Sequence, residues 1–278
     1  MKLTDAHVHF WNTALMPCPW LSQVPAIAHA HEPKDLRAEA GDAMPSRIVF
    51  VDCGSPWLDE GRWVEKLAAA EPRIRAIVAK ATMNAGAKTT AAIAELKGHP
   101  LVRGVRHNIE DETDPDYCIR PAFVEGIAQL PAAGLSFDIC CKHHQLASVV
   151  ELVRRSPGTS FVLDHAGKPG IRAGLLDPWR ANIRALAALP NVVCKFSGLV
   201  TEADRGKWTP ADLQPYVSTL LDAFGPPRLL FGGDWPVVKL ASSYSRWLDT
   251  AQAMTAHLSA AEREAIFDGN TARTYRLA

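Results

Sequence analysis

The sequence predicts a (β/α)8 barrel, an α/β fold of eight parallel strands alternating with helices, as a single domain over residues 1–278. Three observations predict it. The chain has 278 residues, more than an ordinary small domain and close to the roughly 250 of such a barrel. Eight apolar, strand-like runs alternate with amphipathic segments from end to end, and that alternation builds a parallel sheet. An open doubly wound sheet, the alternative, would normally carry a glycine-rich phosphate loop after its first strand. Here that place reads His7-Val8-His9-Phe10-Trp11.

The strand-like runs are residues 3–9, 47–53, 74–80, 101–106, 135–141, 159–163, 191–197 and 228–233. They are short and apolar-leaning, with single polar or charged residues among the apolar ones. Helix-like segments fall between them at 58–70, 89–97, 121–132, 146–155, 178–189, 210–224 and 243–257. In 146–155, for example, Val149, Leu152 and Val153 share one helical face. A last helix starts at Ser259, with Glu262 completing a capping box. The stretch between the first two strands is long, rich in proline and histidine, and irregular. No linker, low-complexity tract or charge block divides the chain.

Composition excludes several classes of function. Hydrophobic residues make up 47% and charged residues 22%, the balance of a globular protein with an ample core. Lys plus Arg and Asp plus Glu number 30 each. Without a basic excess, neither nucleic acid nor an anionic membrane surface is an expected partner. No apolar run approaches the roughly 18 residues of a membrane span. The first residues carry no basic segment followed by an apolar stretch, so a cytoplasmic location is expected. The six cysteines include no CxxC, which excludes zinc-ribbon and thioredoxin-like readings. Buried free thiols in a reducing compartment are expected. A homo-oligomer is left open.

In a barrel of this kind the active site lies at the C-terminal ends of the strands, so the residues that end each strand are the candidates. Strand one ends in His7 and His9. At i and i+2 they share a face, about 6.6 Å apart along the strand, which suits convergence on one metal ion or one bound substrate. Strand four ends in Arg106-His107-Asn108, strand five in Cys141-Lys142-His143-His144-Gln145, and strand six in Asp164-His165-Ala166-Gly167-Lys168-Pro169. Strand seven carries Lys195 and Ser197, and strand eight ends in Gly232-Gly233-Asp234-Trp235-Pro236. So many ionisable groups at strand ends are hard to explain by stability alone, because buried charge is costly unless paired.

Each candidate also has a purely structural reading. Asp234 could cap a turn, His165 could be a satisfied core histidine, and Lys195 could be an interior lysine paired with a carboxylate. Arg103 and Arg106 have opposite parity, so only one faces the axis; Arg106, nearer the strand end, is the candidate. His143 and His144 are adjacent, so at most one faces a pocket, and surface positions suit both. Asp5 shares the parity of His7 but lies deeper, where internal hydrogen bonding is expected. Trp11, Trp20 and Trp235 serve either as packing or as an aromatic wall for a ring-shaped substrate.

Five segments together carry a family resemblance: Asp5-Ala6-His7-Val8-His9-Phe10-Trp11, Gly104-Val105-Arg106-His107, Leu163-Asp164-His165-Ala166-Gly167-Lys168-Pro169, Lys195-Phe196-Ser197-Gly198-Leu199 and Phe231-Gly232-Gly233-Asp234-Trp235-Pro236. The set resembles the amidohydrolase superfamily. More narrowly, it is similar to its amidohydrolase-2-type, lactone-hydrolysing branch, which includes L-fuconolactonases, L-rhamnonolactonases and pyrone-dicarboxylate lactonases. The Pro19-Trp20-Leu21 element and the run Ser197-Gly198-Leu199-Val200-Thr201-Glu202 are closest to the sugar-lactonase members. The resemblance implies a (β/α)8 barrel with Asp234 as general base toward water and His165 orienting substrate or polarising its carbonyl. It implies that His7 and His9 hold a divalent metal such as zinc, and that Arg106 contacts substrate. Binuclear members add a strand-five histidine, whereas strand five here reads Phe137-Asp138-Ile139-Cys140-Cys141. That leaves a mononuclear site from His7, His9 and Asp234, with His165 as a further ligand, or a metal-independent enzyme.

The expected reaction is opening of a small-molecule lactone, a sugar-acid lactone such as a deoxy-aldonolactone, to its hydroxy acid. A lactone carbonyl is more electrophilic than an amide, so modest activation suffices. Asp234 would deprotonate the attacking water, and His165, Arg106 or a metal would stabilise the oxyanion. The expected substrate-binding residues are His7, His9, Trp11, His107, Lys168 and Trp235, with Lys168 and His107 reading hydroxyl or carboxylate groups from the rim. One competing reading is a metal-dependent decarboxylase of an aromatic or unsaturated acid. Another is a ligand-binding barrel without catalysis.

Overall fold

The structure, a computed structural model, describes residues 2–55 and 57–277, with only the backbone of residues 57–59. Eight strands form one parallel sheet in the order of the chain. They are β1 (Thr4–Val8), β2 (Arg47–Val51), β3 (Ile74–Lys80), β4 (Val102–Asn108), β5 (Ser136–Cys140), β6 (Phe161–Leu163), β7 (Val192–Phe196) and β8 (Leu229–Phe231). The sheet closes on itself at its C-terminal end: Asp234 N donates to His7 O at 2.8 Å, and His9 N donates to Trp235 O at 2.7 Å. Helices lie between the strands, among them Trp57–Ala70, Ala87–Lys97, Leu146–Arg155, Trp179–Ala187, Pro210–Phe224 and Tyr244–Met254. This is the (β/α)8 barrel the alternation predicts.

Side chains alternate across each strand, so the pleat produces two cores. Ala6, Val49, Val51, Ala76, Val78, Val162 and Leu230 form a compact cluster inside the barrel, completed by Tyr275 from just after the last helix. Small and β-branched residues suit that narrow interior. A larger cluster, with Phe50, Phe137, Trp179 and Trp247 among its bulkiest members, fills the layer between strands and helices. The residue types follow from position: strands covered on both faces have no solvent side to make polar.

Departures from expectation are local and have physical causes. The expected helix 121–132 divides into Pro121–Ile127 and Leu130–Ala133. Pro131 sits at the start of the second piece, where its missing N–H cannot continue the first. The irregular stretch after β1 contains a helix, Pro33–Ala40, closed by a reciprocal cap between Glu32 and Asp35. Its sequence, PKDLRAEA, buries only Pro33, Leu36 and Ala40, too few apolar positions to reveal a period. The capping box at Ser259 and Glu262 forms as expected. All six cysteines are buried and free. Among the described residues, no helix is long and apolar enough to cross a membrane.

Candidate active site

The strand ends open into one cavity of about 550 Å³, a size that suits a small ring-shaped molecule. His7, His9, His165 and Asp234 meet at its base. The pairing of β1 with β2 shifts register between Asp5 and Val8, an irregularity of the kind that re-aims side chains beside sites. His7 Nε2 and His9 Nε2 come within 3.1 Å of each other. Asp234 Oδ1 lies 3.6 Å from His9 Nε2 and 3.9 Å from both His7 Nε2 and His165 Nε2. One carboxylate oxygen therefore faces three imidazole nitrogens.

The outer ring nitrogens decide what those inner ones can do. His9 Nδ1 lies 2.9 Å from Val51 O. A carbonyl only accepts, so Nδ1 carries the proton and Nε2 presents a lone pair to the site. His165 Nδ1 is held by Ser197 Oγ at 2.9 Å. His7 Nδ1 lies between Lys195 Nζ at 3.1 Å and Asp164 Oδ1 at 3.4 Å. The lysine can only donate and the carboxylate can only accept, so the two favour opposite tautomers of His7. Burial drives the pKa values of His7 and His165 well below the ordinary imidazole value, which keeps both neutral near pH 7. Burial also pushes the Asp234 carboxyl up. The His165 and His9 rings that face it, with Lys168 beyond them, outweigh burial and hold Asp234 below its ordinary value, so it gives up its proton before either imidazole takes one.

Under this base lies a charged layer. Lys195, wholly buried, reaches Asp138 Oδ2 at 2.6 Å and Asp164 Oδ1 at 2.8 Å. Tyr275 Oη donates to Asp138 Oδ2 at 2.6 Å. The pairing expected of an interior lysine is therefore present. Asp5 is buried as expected and links β1 to the loop after β8. Its Oδ1 accepts from His7 N and Gly233 N, each at 2.9 Å, and its Oδ2 accepts from Tyr244 Oη at 2.9 Å. Gly233 has to be glycine, because a Cβ there would lie 2.3 Å from the Tyr244 ring and 2.5 Å from Asp5 Oδ2.

Two loops hold the site in uncommon backbone conformations. His165, Ala166, Gly167 and Lys168 all have positive φ, at 51°, 53°, 67° and 46°, and Asp234 has φ 54°. Of the five non-glycine residues with positive φ among those described, four lie in these two loops. Each costs on the order of 1–3 kcal/mol and persists only where the surroundings impose it. The left-handed turn after β6 brings both His165 and Lys168 into the cavity wall, which an ordinary right-handed turn of the same length would not.

The structure sorts the remaining candidates. Arg106 lines the cavity, but its guanidinium is engaged: Nε with Asp52 Oδ2 at 2.7 Å, Nη2 with Asp52 O at 2.5 Å, and Nη1 near Asp164 Oδ2 at 3.5 Å. It holds the wall more than it reaches a ligand. His107 also lines the cavity, yet its Nδ1 accepts from Met83 N and its Nε2 lies 3.6 Å from Glu112. Lys168 lines it, paired with Glu110. Trp11 and Trp235 do not. Both are fully buried, their indole N–H groups donating to His29 O and to Glu39 Oε2. The aromatic face in the wall belongs to Trp20. Neither His143 nor His144 reaches the cavity. Sequence reasoning gave no role to Asp52, whose position just after β2 was a signal, to Glu110, whose place depends on loop geometry, or to Glu202, which it met only within the run 197–202.

The base of the cavity fits a metal ion. Ligand atoms about 2.0–2.2 Å from a zinc ion lie about 3.3–3.6 Å apart in a tetrahedron. The His7, His9 and Asp234 donor atoms lie 3.1, 3.6 and 3.9 Å apart, close to that spacing. A neutral His7 imidazole and an ionised Asp234 carboxylate are also the protonation states that metal binding requires.

An eight-stranded parallel barrel with histidines and an aspartate at its C-terminal ends is the arrangement of a metal-assisted hydrolase. The chain belongs to the amidohydrolase family, whose pattern matches residues 4–277. It is 38% identical to an L-fucono-1,5-lactonase of Burkholderia multivorans (strain ATCC 17616 / 249), covering 98% of this chain and 95% of that protein. It is 34% identical to an L-fucono-1,5-lactonase of Burkholderia ambifaria (strain ATCC BAA-244 / DSM 16087 / CCUG 44356 / LMG 19182 / AMMD), with the same coverage. A crystal structure of a Burkholderia multivorans amidohydrolase with bound zinc superimposes over the full length of both chains, with TM-score 0.91 and 36% identity.

Proposed function

We propose that this protein is a lactonase that opens a sugar-acid lactone to its hydroxy acid, with Asp234 as general base. The observation that carries the reading is the ionised Asp234 carboxylate, facing three imidazoles at the base of a cavity of small-molecule size. The L-fucono-1,5-lactonase relatives, alike over nearly the whole chain, support it.

The lactone ring enters past Trp20 and lies with its carbonyl over the histidines. Asp234 takes a proton from water as it attacks the carbonyl carbon. His165, held through its Nδ1 by Ser197, faces the oxygen that gains charge. Asp234 then returns the proton to the ring oxygen as the acyl–oxygen bond breaks. A divalent ion held by His7, His9 and Asp234, with His165 beside it, would polarise the carbonyl and acidify the water. Zinc in a structural relative supports that assignment. Arg106 acts by fixing Asp52 in the wall and bracing the buried Asp164 beneath it. The same reading makes residues 1–278 one catalytic domain, cytoplasmic, acting on a small molecule, with neither nucleic acid nor membrane as partner; a homo-oligomer is compatible with it.

A panel of sugar lactones, followed by acid release with and without chelator, tests the activity and its metal dependence together. Asp234→Asn is expected to lower kcat/KM by at least ~100-fold, the usual contribution of a positioned base. Hydrolysis at the wild-type rate by that variant would sink the mechanism. Release of carbon dioxide from an aromatic acid, with no lactone opened, would favour the decarboxylase reading instead.

A further inference from the structure

Glu202 has no part in the mechanism above, yet it lines the cavity. It ends the short helix Leu199–Glu202, which starts at Gly198 in a left-handed conformation with φ 66°. A Cβ at Gly198 would lie 2.6 Å from His165 Nδ1, so packing against the catalytic histidine sets where this helix begins and hence where Glu202 stands. The Glu202 carboxylate accepts no hydrogen bond from any described residue; burial pushes its carboxyl up, and Lys168, Glu110, Arg205 and Asp234 act on it electrostatically, with Arg205 donating its Nε to Thr201 O at 3.3 Å. Its neighbours are already engaged. Glu110 accepts from Lys168 through one oxygen and from the Cys140 thiol through the other. The Thr201 hydroxyl donates to Gly198 O. Lys168 uses one of its three N–H groups on Glu110 and has others to offer.

A free carboxylate in a cavity is an acceptor with two oxygens side by side. Hydroxyl groups on adjacent ring carbons match it, and such charge-assisted bonds are the strong ones. The wall around it favours neutral ligands, since six carboxylates and four cationic side chains line the cavity among the described residues. We propose that Glu202 determines substrate specificity, its carboxylate accepting from two adjacent hydroxyls of a neutral sugar lactone while Lys168 donates to an oxygen of the same ring. Carboxylate-bearing lactones are then disfavoured by Glu202 itself. The inference rests on the lactonase reading for the identity of the ligand, but its test does not need turnover.

The test compares wild type, Glu202→Gln and Glu202→Ala. Calorimetry measures binding of a six-membered sugar lactam, an unreactive mimic of the lactone, and of the same lactam ring without hydroxyls. Glu202→Ala is expected to lower the preference for the hydroxylated ring by ~10- to 100-fold, the usual worth of a hydrogen bond to a charged group. In kinetics with the matching lactones, the loss should fall mainly on KM. Glu202→Gln keeps the shape and removes the charge, and should raise turnover of a carboxylate-bearing lactone relative to the neutral one. A preference that moves less than about twofold in both variants overturns the proposal. If wild type opens no lactone but the binding preference still collapses in Glu202→Ala, the lactonase reading fails and the role of Glu202 stands.

Discussion

His7 shows how one ring can be turned toward or away from a metal by its neighbours. Its Nδ1 has Lys195 Nζ at 3.1 Å and Asp164 Oδ1 at 3.4 Å. With Lys195 donating to Nδ1, the neutral ring must carry its proton on Nε2, which points at the site and cannot then ligate. With Nδ1–H donating to Asp164, the Nε2 lone pair is free. Lys195 has Asp138 and Asp164 as other acceptors, so the second arrangement leaves no charge unpaired. Asp164→Asn removes the charged acceptor and should weaken zinc binding by ~10- to 100-fold, as loss of such an outer partner does. Chelator competition measures it directly. Unchanged zinc affinity would mean that Asp164 does not set the tautomer. The motif around His165 puts Asp164 in view in the sequence. Its reach back to His7 was not, because β1 and β6 are brought face to face only by closure of the barrel.

At the scale of elements, the seam between β1 and β8 is what brings the two halves of the site together. Asp5 accepts backbone N–H groups from both sides of it, His7 N and Gly233 N. Burial is the main reason its carboxyl is pushed up to about 7. A folded-state value above the unfolded one gives stability that is fully present below pH 3.8 and is lost as pH rises through about 7. At about 1.4 kcal/mol per pH step, that loss comes to about 4–5 kcal/mol at most. Asp5→Asn keeps an acceptor for the seam and cannot ionise. Wild type should therefore lose stability relative to this variant between pH 4 and 7, as read by denaturant unfolding at several pH values. A difference that is flat, or that rises with pH, would show Asp5 to be ionised without penalty. The strands on either side of the seam were legible from their apolar runs. The left-handed turns that follow β6 and β8 were not, because His165, Ala166, Lys168 and Asp234 have no side-chain preference strong enough to announce a positive φ; the tertiary surroundings impose it.

Across the whole molecule, the alternation of apolar runs and amphipathic segments specified the barrel, and the strand-end rule specified where its chemistry would lie. Neither rule reaches contacts made through the barrel interior. Lys195 from β7, Asp138 from β5, Asp164 from β6, His7 from β1 and Tyr275 from the end of the chain meet there, and their sequence separations conceal it. Trp11 and Trp235 were placed in the substrate wall because they adjoin strand ends. The pleat and the loop after β1 turn them into the packing instead, and Trp20 takes the wall. The interior cluster holds one cation against two carboxylates in a space closed to water, where losing one partner of such a set costs about 3–5 kcal/mol. Lys195→Met keeps the length of the side chain and removes its charge, so it should destabilise the fold by about that much at pH 8. Burial already pushes Asp138 up to about 6, against the pull of Lys195. Without the lysine, Asp138 takes a proton more readily, so the penalty should shrink as pH falls toward 5. Chemical denaturation at pH 5 and pH 8 measures both values. A penalty that is small, or equal at the two pH values, would show that Lys195 does not balance the charge of the barrel interior.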